Sequence, residues 1–126
     1  MKSVIASLLI AITIISGSLI YTKSLKSISG EMTSCATSIK EHINNENYKA
    51  AIDEEEKLHK FFKNKRLILA GTVDHSIIVK IEENFAEMHS YTVKEQQYDA
   101  AAKCDALIYY FKYLPSNYSL KIENIL

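Results

Sequence analysis

The sequence predicts an all-α protein: an N-terminal transmembrane helix continuing into an up-down-up-down four-helix bundle built of two helical hairpins. Three observations lead there. Residues 4–21 form an apolar run with no charge and no proline. The 126 residues hold only three Gly and one Pro, and the Asn-Gly or Asp-Gly pairs that mark β-hairpins are absent. The rest of the chain carries apolar side chains at steps of three and four, the period of a helix with one buried face.

Eighteen helical residues reach about 27 Å, close to the hydrocarbon thickness of a bilayer. Val4, Leu8, Ile12, Ile15 and Leu19 supply the apolar side chains of this span. Tyr21, followed by Lys23 and Lys26, has the aromatic and basic pattern of an interface anchor. The Met1 amine and Lys2 precede the run, and Ser16-Gly17-Ser18 has the small-x-small form of a cleavage site. A cleaved signal peptide is therefore the alternative reading of residues 1–22. The apolar character resumes at Leu19-Ile20-Tyr21, which favours a retained anchor. The chain divides into a membrane anchor, 1–22, and a helical bundle domain, 23–126. Basic residues flank the run on both sides, so charge does not set the orientation. An apolar segment this close to the N-terminus leaves the longer C-terminal part outside, so the expected location is the cell membrane, single-pass, with an extracytoplasmic domain.

Helix one continues the anchor over residues 22–42, with Leu25, Ile28, Met32, Cys35 and Ile39 as its seam. Asn44-Asn45-Glu46-Asn47 is the first turn, with Asn45 or Asn47 as N-cap. Helix two spans residues 48–69, with Tyr48, Ala51, Ile52, Leu58, Phe62 and Leu69 inward. Its acids, Asp53 to Glu56, precede its bases, Lys57 to Arg66, which opposes the helix dipole and offers pairs four apart such as Asp53 with Lys57. The acidic run reads as a solvated face. Gly71 suits a C-cap and Asp74 an N-cap. Helix three runs to residue 91 with Ile78, Ile81, Phe85 and Met88 inward, and the Thr92-Val93-Lys94-Glu95 join is a kink or a stop. Helix four spans 95–114 with Tyr98, Ala101, Cys104, Ile108 and Phe111 inward, and Pro115 ends it. The tail, 119–126, offers Leu120, Ile122, Ile125 and Leu126 to the bundle. Tyr48-Lys49-Ala50-Ala51 recurs as Tyr98-Asp99-Ala100-Ala101, and Phe61-Phe62 as Tyr110-Phe111, an echo of two similar hairpins.

Candidate chemistry is sparse. Basic and acidic residues balance at 15 each, so nucleic-acid binding has no electrostatic support. His42, His59, His75 and His89 form no pair at ligand spacing, so no metal is expected. No phosphate loop, nucleophile elbow or Cys-x-x-Cys is present, so neither a cofactor nor catalytic activity is expected. Cys35 and Cys104 lie at matching levels on antiparallel neighbours. They are either buried free thiols or an interhelix disulfide. The helix ends that return to the membrane carry Lys63, Lys65 and Arg66 on helix two and Tyr110 and Tyr113 on helix four. Basic and aromatic side chains of this kind favour an anionic headgroup surface.

At Val73-Asp74-His75-Ser76-Ile77 through Ile81-Glu82, and again at Ile122-Glu123-Asn124-Ile125-Leu126, the chain resembles a family of small uncharacterised bacterial proteins. Members have an N-terminal membrane helix and an all-helical remainder, and occur mainly in spore-forming Gram-positive bacteria. The resemblance implies no activity; it implies partnership with a multi-spanning membrane protein. The expectation is thus an envelope accessory protein that binds membrane lipid and a membrane or envelope protein. An extracytoplasmic ligand-binding or sensing module is the alternative.

Overall fold

The computed structural model describes residues 1–71 and 73–118, the side chains of residues 18, 22 and 116–118 excepted. The expected tail contacts of Leu120, Ile122, Ile125 and Leu126 lie outside the described residues. Four helices make up the described chain: α1 (Lys2–Asn44), α2 (Tyr48–Ala70), α3 (His75–Val93) and α4 (Gln97–Tyr118). At 1.5 Å per residue, the 43 residues of α1 extend about 65 Å. Each helix packs on its neighbours in sequence, and α4 closes the ring against α1.

The bundle begins at Leu25. Leu25, Met32, Ala36, Ile39 and Ile43 of α1 are fully buried, as are Ala51 of α2, Met88 of α3, and Ala100, Cys104, Leu107, Phe111 and Leu114 of α4. Rings tie the centre together: Phe85 lies 5.5 Å from Phe62 and 6.2 Å from Phe111, centroid to centroid. The α3 face is the one the periodicity predicts, with Ile78, Ile81, Phe85 and Met88 all buried.

On α4, Cys104 and Phe111 are buried as the periodicity predicts, but the other three expected positions are not in the core. Tyr98 is 87% exposed, while Ala100 and Leu107 take the core places given to Ala101 and Ile108. The cause is the register of the repeat. Glu46 and Glu95 both adopt a left-handed backbone, with φ of 59° and 57°. Around each, the same three amide bonds close the turn: Asn45, Glu46 and Asn47 to Glu41, Ile43 and His42, and Lys94, Glu95 and Gln96 to Ser90, Thr92 and Tyr91. The two hairpins therefore repeat at forty-nine residues, so Gln97 is the counterpart of Tyr48 and Ala100 that of Ala51. The shared Tyr-x-Ala-Ala string is one residue out of step with the packing. The Thr92-Val93-Lys94-Glu95 join is thus a stop. Gly71 stands at the α2 C-cap with right-handed angles, so the turns place their left-handed conformation on glutamate instead.

Pro115 does not end α4, which runs on to Tyr118. A proline inside a helix has no N–H for the carbonyl four residues back, here Phe111. The buried Ser29 hydroxyl of α1 donates to that Phe111 carbonyl. The bond that the proline removes is replaced from the neighbouring helix, and the helix continues.

Candidate functional site

Two surfaces matter once the helices are packed: the apolar rod with the base of the bundle it enters, and a polar groove between α2 and α3. Along the rod, Val4, Leu8, Ile12 and Leu19 are 69%, 60%, 52% and 55% exposed, and Ile15 is partly covered. None of the most apolar stretch of α1 is covered by the bundle, so it is not a core helix. A membrane span and a signal sequence both fit that exposure. Tyr21 is half-buried against the bottom of the core.

The predicted basic cluster is divided by the fold. Arg66 is paired with Glu82 of α3 at 3.2 Å. Lys65 lies over the Phe61 ring at 5.6 Å and lines a recess with Ile20, Lys23, Ser24 and Ser27 of α1. Lys63 is exposed. Tyr110 is half-buried against the core, and Tyr109 bridges Tyr110 and Tyr113 with centroids 5.7 and 6.3 Å away. Next to Arg66, Leu67 is 89% and Ile68 42% exposed, an apolar pair that the sequence reading passed over.

The groove is built around Glu55, only 3% exposed although it belongs to the acidic run expected to face solvent. Its position explains this: Ala51, Glu55, Leu58 and Phe62 share the inner face of α2. Thr92 Oγ1 of α3 lies 2.5 Å from Glu55 Oε1 and 2.7 Å from the Met88 carbonyl, and His89 Nδ1 lies 3.0 Å from Oε2. Both carboxylate oxygens thus have partners, the condition under which a buried carboxylate is tolerated. Beside the cluster lies a groove of about 280 Å³ lined by His59, Glu82, Phe85 and His89 among others. His59 packs on Phe85, 5.4 Å between centroids. Burial, with Lys63 and His89 nearby, pushes the His59 pKa down against the pull of Glu82. A second carboxylate, Glu54, faces α1: Ser38 Oγ donates to its Oε1 at 2.9 Å, and His42 Nε2 lies 3.2 Å from the same oxygen.

Of the two readings of the cysteines, the structure has the free thiols: no disulfide joins Cys35 and Cys104. Ala36 occupies the core position of α1, and Cys35, one residue and about 100° earlier on the helix, turns toward α2. Its Sγ lies 3.9 Å from the Glu54 carbonyl. Cys104 faces α3, with Sγ 3.5 Å from Met88 Sδ. Burial, with Glu55 and Asp105 adding, pushes the Cys104 thiol up to about 12, and burial with Glu54 raises Cys35. Neither is therefore an activated nucleophile at neutral pH. Among the described residues, no three His, Cys, Asp or Glu side chains converge as metal ligands would.

At the other end, the two turns hold each other reciprocally. Gln97 Nε2 donates to the Asn44 carbonyl at 3.0 Å, and the Tyr48 hydroxyl reaches the Glu95 carbonyl at 3.5 Å. Lys40 pairs with Asp105 at 2.7 Å, and Lys103 with Glu87. Each helix–helix contact therefore carries a cross-helix ion pair or His–Glu contact, and the α2–α3 contact carries both kinds.

These features define a class: a helical bundle continuous with an exposed apolar helix. The chain belongs to the family described as a domain of unknown function, DUF4363, which it matches over residues 19–125. No curated protein and no solved structure matches it.

Proposed function

We propose that this chain is a single-pass, membrane-anchored accessory protein of the bacterial cell envelope, and that it acts by binding a membrane or envelope protein. Residues 1–22 span the bilayer. Residues 23–118 form a domain of two helical hairpins standing on the outer side. The observation that carries this reading is α1 itself, one unbroken helix that is apolar and uncovered before residue 21 and packed in the core from Leu25 onward. Exposed apolar surface of that extent is unfavourable in water by roughly 25 cal/mol per Å² and is relieved by lipid. The groove beside Glu55 favours a second reading, an extracytoplasmic module that binds a small ligand.

Purification of the native chain from a detergent extract tests both. A stoichiometric membrane protein that stays bound supports the accessory role, and a co-purifying small molecule supports the second reading. Peptide mapping of the same sample tests the anchor. A peptide joining Ser18 to Leu19 is expected, and a mature N-terminus at Leu19 overturns the membrane-spanning reading.

A further inference from the structure

The helix registers fix how high each side chain stands above the end of the rod. Ser38 faces Glu54 across the α1–α2 contact. One recess brings Glu31, Ser34 and Cys35 beside Lys57 and Phe61, and the next brings Ser24 and Ser27 beside Lys65. Each step back along α1 is matched by a step forward along α2. Continued, this register sets Leu67 level with about residue 25 and Gly71 level with about residue 21. Leu67 therefore stands about 6 Å above Tyr21, and the α2–α3 corner reaches the level of Tyr21 itself. The headgroup layer of a bilayer is about 5–8 Å deep on each side. On α4, the bond from Ser29 to the Phe111 carbonyl sets Tyr113 and Tyr110 about 9 and 13 Å above Tyr21, beyond that layer.

We infer that the α2–α3 corner is a second membrane contact, in which Leu67 and Ile68 insert among the lipid headgroups beside the rod. This rests on the membrane-spanning reading of α1. Leu67 and Ile68 are the exposed large apolar side chains of α2, and they occur where its level meets the headgroup zone. Lys23, at the level of the corner, adds an ammonium group whose stem can lie along lipid. Asp74, exposed at the same level, restricts the corner to the headgroup layer and keeps it out of the hydrocarbon. A span plus a corner contact holds the bundle at a fixed tilt, where a span alone leaves it free to swing. The tip at Glu46 and Glu95 is thereby presented away from the surface.

The chain has no tryptophan, so single-tryptophan variants report without background. Ile12→Trp, Leu67→Trp and Tyr98→Trp are made in the full chain and placed in phosphatidylcholine–phosphatidylglycerol vesicles carrying brominated acyl chains. Ile12→Trp tests the span, Leu67→Trp the corner, and Tyr98→Trp, 87% exposed near the tip, is the water control. The expected result is loss of emission for Ile12→Trp with bromine near the bilayer centre, loss for Leu67→Trp with bromine near the headgroups, and none for Tyr98→Trp. Loss at Ile12→Trp with Leu67→Trp as bright as Tyr98→Trp overturns the corner contact and leaves the anchor standing. No loss at Ile12→Trp overturns the anchor and the corner contact with it.

Discussion

The serine beneath Pro115 gives the sharpest test of how this bundle holds together. Ser29→Ala removes the hydroxyl that donates to the buried Phe111 carbonyl, in a helix turn that proline has already opened. A buried carbonyl left without a donor costs about 1–3 kcal/mol. For a domain of this size, 1 kcal/mol moves the melting midpoint by about 4–8 °C, so Ser29→Ala should lower it by roughly 4–24 °C. Pro115→Ala supplies an N–H that returns to Phe111 in the ordinary way, so Ser29→Ala should cost no more than about 1 kcal/mol in that background. The assay is thermal unfolding of wild type, both single variants and the double variant, followed by circular dichroism in one non-ionic detergent. The expected coupling is about 1–2 kcal/mol. Equal costs for Ser29→Ala with and without Pro115 would refute the argument, because the serine would then be only a packing residue.

Four further outcomes follow from the same structure. Glu46→Gly and Glu95→Gly should each stabilise by about 0.5–1 kcal/mol in urea titrations, since glycine adopts the left-handed backbone without a Cβ clash; destabilisation at both would contradict the turn geometry. Thr92→Val, nearly isosteric, should destabilise by about 1–3 kcal/mol because it takes a hydroxyl from buried Glu55, and an unchanged urea midpoint would count against the cluster. At pH 8 in the native fold, iodoacetamide should leave Cys104 unmodified, whereas both thiols react after unfolding; rapid native labelling of Cys104 would contradict its burial. His59 is held below its ordinary pKa, so its contribution to stability is complete above about pH 6.5 and is lost as pH falls through the lower folded value. The stability gap between wild type and His59→Gln should therefore shrink from pH 7.5 to pH 5, and a constant gap would sink the assignment.

Much of the fold is legible in the sequence, for a definite reason. Long apolar periods over 25–43 and 78–88 fix which side of a helix is buried, because every burial-driven alternative exposes several large side chains at once. Scarce glycine and proline, together with the uncharged run over 4–21, set the class and the single exposed rod. Short strings are weaker guides. Tyr48-Lys49-Ala50-Ala51 and Tyr98-Asp99-Ala100-Ala101 share a tyrosine and two alanines at the same spacing, yet the turns around Glu46 and Glu95 impose a period one residue shorter. A one-residue shift turns a helix by about 100°, enough to move Tyr98 from core to solvent.

What the sequence alone determined is whatever depends on local pattern: four helices, their approximate ends, the apolar rod, and the inner face of α3. Tertiary structure decided everything that needs a partner from another helix. Glu55 sits in a run of four acids and looks solvated until Thr92 and His89 arrive from α3 to satisfy it. Pro115 looks like a terminator until Ser29 of α1 supplies the missing donor. The two cysteines look level enough to bond until the rotation of α1 turns Cys35 toward α2 and leaves Ala36 in the core. In each case the deciding energy lies in a hydrogen bond or a packing contact between residues far apart in the chain. No window along the sequence contains both members of such a pair.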